Sequence, residues 1–120
     1  MLHISKNNII TMTVGDEVYF YFYIKANKNN DIYLLNSKDK VYFYIMEANA
    51  SYDEAVVTKT LDYNNIIKDT PLIKISLDEN DTKLLQSGNY YYQIKLERYI
   101  NPENYKTETI MNKRRFILTD

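Results

Sequence analysis

The chain has 120 residues, a net charge of -1, no cysteine and one histidine. That length fits one domain with its own core. The lack of cysteine excludes disulfides and thiolate metal sites, and the near-neutral charge gives no electrostatic reason to expect a nucleic-acid partner. The start "MLHISKNNII" lacks the basic opening and apolar core of a secretion signal, and no apolar run approaches the length of a membrane helix. We therefore expect neither a membrane nor a nucleic acid among the partners. Only two glycines and two prolines are present. Asparagine, the non-glycine residue that best tolerates positive φ, is abundant and can serve the turns instead.

The chain reads mostly with period two. "NNIITMTV" (7–14) is a first strand, and Gly15-Asp16 a tight turn. In "EVYFYFYIKA" (17–26), Val18, Phe20, Phe22 and Ile24 alternate with Tyr19, Tyr21 and Tyr23. A polar connection, 27–40, carries a short apolar island from Ile32 to Leu35. "VYFYIMEAN" (41–49) then places Val41, Phe43 and Ile45 on one face, and Tyr42, Tyr44 and Met46 on the other. "ASYDEA" reads as a loop, "VVTKTLDY" (56–63) and "LIKISL" (72–77) as strands.

"DENDTKLLQSG" (78–88) breaks the period. Asp78 can cap a short helical turn near 79–86, with Gly88 as its stop. "NYYYQIKLERYI" (89–100) is the longest strand, with Tyr90, Tyr92, Ile94 and Leu96 on one face. "NPENY" (101–105) is a turn, and "KTETIMN" with "RRFILT" forms a last strand or a strand with a bulge. The expected interior is Val18, Phe20, Phe22, Ile24, Val41, Phe43, Ile45, Ile75, Leu77, Tyr90, Tyr92, Ile94, Leu96, Phe116 and Leu118.

Many short strands with regular turns indicate an all-β sandwich, with a tilted barrel as the alternative. A tyrosine just after a helical turn and Ser-Gly has the spacing of the corner residue in immunoglobulin-like sandwiches. Its ring is buried and its hydroxyl bonds upstream backbone. Tyr90 holds that place and Gly88 precedes it; the plainer reading makes Tyr90 one more core aromatic.

The order "ITMTVGDEVYFYFYI", "VYFYIMEA", "DTKLLQSGNYYYQIKL", "RRFILT" resembles the immunoglobulin-like N-terminal domain of upper baseplate proteins of tailed phages infecting Gram-positive bacteria. It also resembles small phage proteins made of that domain alone. The resemblance implies a single immunoglobulin-like β-sandwich over residues 1–120. It implies a virion structural protein assembled in the host cytoplasm, whose partners are other virion proteins and copies of itself. Tyr92 would take the core place where a disulfide cysteine can lie in other members. With the sequence closing at Asp120, receptor binding is expected of another chain.

Catalysis has little support. His3 lies near the terminus, and no glycine-rich phosphate loop occurs. Asp78, Asn80 and Thr82 have calcium-loop spacing, but the sixth and twelfth places hold Lys83 and Asn89 rather than glycine and glutamate. A helix cap is the better reading. The expectation is a non-enzyme without cofactor or metal. Asn49 and Asn80 match the glycosylation pattern, which means little without a secretion signal. Lys113, Arg114 and Arg115 read as a solvated strand end or as a phosphate or carboxylate contact.

The tyrosines are the remaining signal, 13 in all. Tyrosine supplies rigid contact area with a polar tip and is enriched at interfaces. The outward set Tyr19, Tyr21, Tyr23, Tyr42, Tyr44 and Tyr91 could dock on neighbouring tail, baseplate or head subunits. It could stack on sugar rings of a bacterial surface. It could also be half-buried strand formers in an AT-rich genome.

Overall fold

Alternating apolar residues can be buried only if a second layer covers them, and two sheets do this here. In the computed structural model, residues 2–26 and 31–120 are described. The strands are β1 (His3–Ile4), β2 (Ile10–Thr13), β3 (Val18–Tyr23), β4 (Lys25–Ala26), β5 (Asp31–Ile32), β6 (Lys40–Glu47), β7 (Val57–Asp62), β8 (Leu72–Leu77), β9 (Gly88–Asn101) and β10 (Asn104–Thr119). One four-residue helix, α1 (Glu79–Thr82), separates β8 from β9. The protein is all-β. The positions 27–30 of the expected polar connection lie outside the described residues.

Six strands form one sheet in the order β1-β2-β10-β9-β6-β7. β2 runs parallel to β10, from Ile10 opposite Phe116 to Thr13 opposite Thr119; the other pairs are antiparallel. β3 and β8 make a separate antiparallel pair, from Val18 opposite Leu77 to Tyr23 opposite Leu72. This pair lies across the inner face of the large sheet. Ring centroids of Phe20 and Phe43 are 5.7 Å apart, those of Phe22 and Tyr92 6.0 Å, and those of Phe43 and Tyr92 5.5 Å. Burying each such side chain contributes about 1.5–3 kcal/mol, so these rings hold the sheets together alongside the buried aliphatic residues Ile24, Ile45, Ile73, Ile75 and Ile94.

The expected interior is buried at every position but Val18, which is partly exposed and packs at the margin. Ile10, Met12, Leu35, Val57, Leu61 and Ile73 complete the core. Met46 departs from the expected pattern: it sits on the Tyr42–Tyr44 side of β6, yet it is fully buried. The segment after β6 folds back over this end of the sheet. Tyr52, in a 3-10 turn, packs on Tyr44 with centroids 5.4 Å apart, and the Lys113 ammonium donates to the Ala50 carbonyl.

The turns follow backbone chemistry. Asp16 N–H closes onto Thr13 O at 3.2 Å, with Gly15 at φ +81°. Asn8 and Asn49 take positive φ, as asparagine does most readily after glycine. The last strand is one element bulged between Thr109 and Met111 and again between Met111 and Arg114. Asp39 is fully buried but bonded by three donors: Tyr33 Oη at 2.5 Å, Asn36 N at 2.9 Å and Tyr99 N at 2.8 Å. Those bonds offset its desolvation and pin the 33–39 loop to β9.

Candidate docking surfaces

Because the two sheets meet through Phe20, Phe22, Phe43 and Tyr92, their outer faces point in opposite directions. The six tyrosines of the expected outward set are therefore divided between two faces. Tyr19, Tyr21 and Tyr23 stand on the outside of the β3–β8 pair, and Tyr42, Tyr44 and Tyr91 on the outside of the large sheet.

The two groups differ in environment. On β3 the tyrosines are 58%, 42% and 59% exposed. Tyr19 and Tyr21 meet edge to face at 5.9 Å, and Lys74 lies 4.6 Å over the Tyr19 ring. The opposing β8 residues, Leu72, Lys74 and Ser76, leave the stripe open. On the large sheet all three are half-buried. Tyr42 and Tyr44 stack at 6.1 Å, Tyr52 caps Tyr44, and Lys95 sits 4.0 Å over Tyr52. Tyr42 donates its hydroxyl proton to Glu97 Oε2 at 2.7 Å. Burial first, then the Glu97 carboxylate, pushes the Tyr42 phenol up to about 12. Burial also raises the Tyr44 phenol.

At the corner, the Tyr90 ring is buried and its hydroxyl donates to the Gln86 carbonyl at 2.8 Å, four residues upstream. Gly88 does not stop the helix, as expected of it. The helix ends at Thr82 with Lys83 still in helical geometry, while Gly88 opens β9 at φ +151°, where a side chain would be strained. The residues with calcium-like spacing have other work. Asp78 caps α1 through Asn80 N and Asp81 N, Asp81 returns the bond to Asp78 N, and Thr82 Oγ1 accepts from Gly15 N at 2.9 Å. Among the described residues no group of three or more His, Asp or Glu could hold a metal ion.

Lys113, Arg114 and Arg115 are exposed and line a surface cleft of about 530 Å³ with Lys6, Asn8 and Tyr91. The partners they show are the Ala50 and Lys113 carbonyls and Asn89 Oδ1, at a bulged stretch of strand. Comparison with family models, with curated proteins and with solved structures finds no match for this chain.

Proposed function

We propose that this protein is an immunoglobulin-like β-sandwich with a non-enzymatic structural role in a tailed phage particle, as a tail or baseplate component. Its docking surface is the outer face of the β3–β8 pair. The strand arrangement supports the sandwich. β10, β9, β6 and β7 lie side by side with β2 parallel to β10, the β3–β8 pair faces them, and Tyr90 closes the corner onto Gln86.

The observation that carries the docking role is the exposure of Tyr19, Tyr21 and Tyr23 on one rigid strand. Contiguous exposed aromatic surface is uncommon on a monomer unless something covers it. Tyrosine has only two χ angles, so little side-chain entropy is lost on binding. The virion setting comes from the resemblance of the ordered segments, and a capsid decoration or head-fibre base would use the same physics.

One cleft favours a second reading, a carbohydrate-binding module. Tyr19 borders a hollow of about 400 Å³ with Glu17, Ser76, Asp78 and Lys59. An aromatic ring beside polar groups can hold a sugar. Asp78 and Lys59 are already engaged, in the α1 cap and on Asp81 at 3.0 Å, which leaves few groups to orient a ligand. Docking is therefore the stronger reading.

The experiment is a density map of the intact particle, together with a glycan array run on the purified chain and on Tyr21→Ala. The proposal expects β3 covered by a neighbouring subunit and no glycan binding. Glycan binding lost in Tyr21→Ala, with β3 bare in the particle, would establish the second reading instead.

A further inference from the structure

The exposed tyrosines of β3 also occupy a sheet edge. β3 pairs with β8 on one side, and among the described residues no strand pairs with the other. Ladder alternation identifies which backbone groups are left over. Ile24 N donates to Pro71 O at 2.9 Å. By the two-residue period, Phe22–Ile73, Phe20–Ile75 and Val18–Leu77 are then the hydrogen-bonded pairs of the ladder. The far side of β8 agrees, since Leu72 O accepts from Ile67 N at 2.9 Å there. The N–H and C=O groups of Tyr19, Tyr21 and Tyr23 therefore aim away from β8, along the open edge. Ile24 O accepts from Tyr33 N, so the β4–β5 hairpin continues the β8 side of the ladder and not the edge left open by Tyr19, Tyr21 and Tyr23.

Edges of this kind are usually blunted by proline, by lysine within the strand or by a bulge. β3 has none of these: its sequence is VYFYFY and its register with β8 is unbroken. Its charges stand just outside, exposed Glu17 before the strand and exposed Lys25 after it.

We infer that this edge pairs, antiparallel, with the same edge of a second copy of the chain, about a two-fold axis at Tyr21. In that register Tyr19 faces Tyr23 of the second copy and Tyr21 faces its own equivalent. Three hydrogen-bonded pairs form, carrying about six backbone bonds. Charge selects the register. Glu17 faces Lys25 of the second copy at one end, and Lys25 faces Glu17 of the second copy at the other. A slip of two residues in either direction separates every such pair. The product is a continuous four-stranded sheet, β8-β3-β3-β8, with all six rings on one face. This deepens the docking proposal and rests on it for where the pairing is used; the pairing itself is tested on the purified chain.

The test is sedimentation velocity up to millimolar chain, with amide hydrogen exchange by NMR. The expected result is a concentration-dependent dimer in which the amides of Tyr19, Tyr21 and Tyr23 become protected. Glu17→Lys and Lys25→Glu should each weaken the dimer roughly threefold to tenfold, and the two together should restore it. Tyr21→Lys sets like charges face to face at the axis and should abolish the dimer while the circular dichroism of the monomer is kept. A chain that stays monomeric throughout, or a dimer indifferent to the charge exchange, overturns the inference. If the chain is monomeric and tyrosine variants still fail to enter the particle, pairing falls and docking stands. If the dimer forms and those variants enter normally, docking falls and pairing stands.

Discussion

On the large sheet Tyr42, Tyr44 and Tyr91 are half-buried, and the first two are stacked on each other. On β3 Tyr19, Tyr21 and Tyr23 stand about half exposed, with little more than Lys74 leaning on one ring. Both stripes read identically in sequence, as tyrosine at every second place opposite a buried row. The difference comes from what the rest of the chain lays over each face. The loop carrying Tyr52 and the Lys95 and Glu97 side chains of β9 cover the first, and no described segment covers the second. One stripe thus contributes to folding, and the other is available to a partner.

The comparison breaks first at Tyr44. This ring lies between Tyr42 and Tyr52, so Tyr44→Ala removes two aromatic contacts and exposes the sheet beneath. The expected loss is about 2 kcal/mol from area and ring contacts together. Urea unfolding monitored by circular dichroism measures it. A loss no larger than that of an exposed β3 tyrosine would erase the distinction between the faces.

Tyr42 sharpens it by pH. Its folded phenol, raised by burial and by Glu97, titrates near 12, above the ordinary value of 10. A raised folded value stabilises the native state below the unfolded value, and the gain is lost as pH climbs through the folded one. Tyr42 should therefore contribute a loss of stability between about pH 10 and 12, on the order of 1 kcal/mol after allowance for solvent screening at this half-buried site. This adds to the losses from Tyr33, Tyr44, Tyr90 and Tyr92, whose phenols burial also raises. Tyr42→Phe should cost about 1 kcal/mol at neutral pH by losing the Glu97 bond, and its alkaline slope should be shallower than that of the wild type by Tyr42's share.

Strand phase was legible because each strand has one buried face and a one-residue slip would turn its apolar row outward. Phe20, Phe22, Phe43, Ile45, Tyr92 and Ile94 all point where alternation places them. The α1 cap was legible because Asp78 and Asp81 act within three residues. Met46 was not, because alternation says nothing of a loop returning over the outer face. Gly88 misled because glycine serves a helix end and a strained strand start equally well. Asp39 was hidden in a polar stretch, since its donors Tyr33 and Tyr99 come together only in the fold. The division of the tyrosines onto opposite faces needed the sheet order, because periodicity fixes in or out within a strand and not which sheet the strand joins.

The smallest effect is expected at Tyr23. It is 59% exposed and opposes Leu72 across the ladder. Threonine favours strands as tyrosine does, through its β-branch, and lacks the ring, so Tyr23→Thr isolates contact area from backbone preference. Its cost to the isolated chain should stay within about 0.5 kcal/mol, the range of substitutions away from structural features. The same change takes away a third of the open stripe, so under the docking proposal incorporation into a phage particle should drop sharply in a competition between wild-type and variant chains. Stability and assembly must separate at this position if the β3 face exists for a partner. A Tyr23→Thr chain that unfolds easily would show that the ring supports the fold, and one that assembles as well as wild type would show that it supports neither.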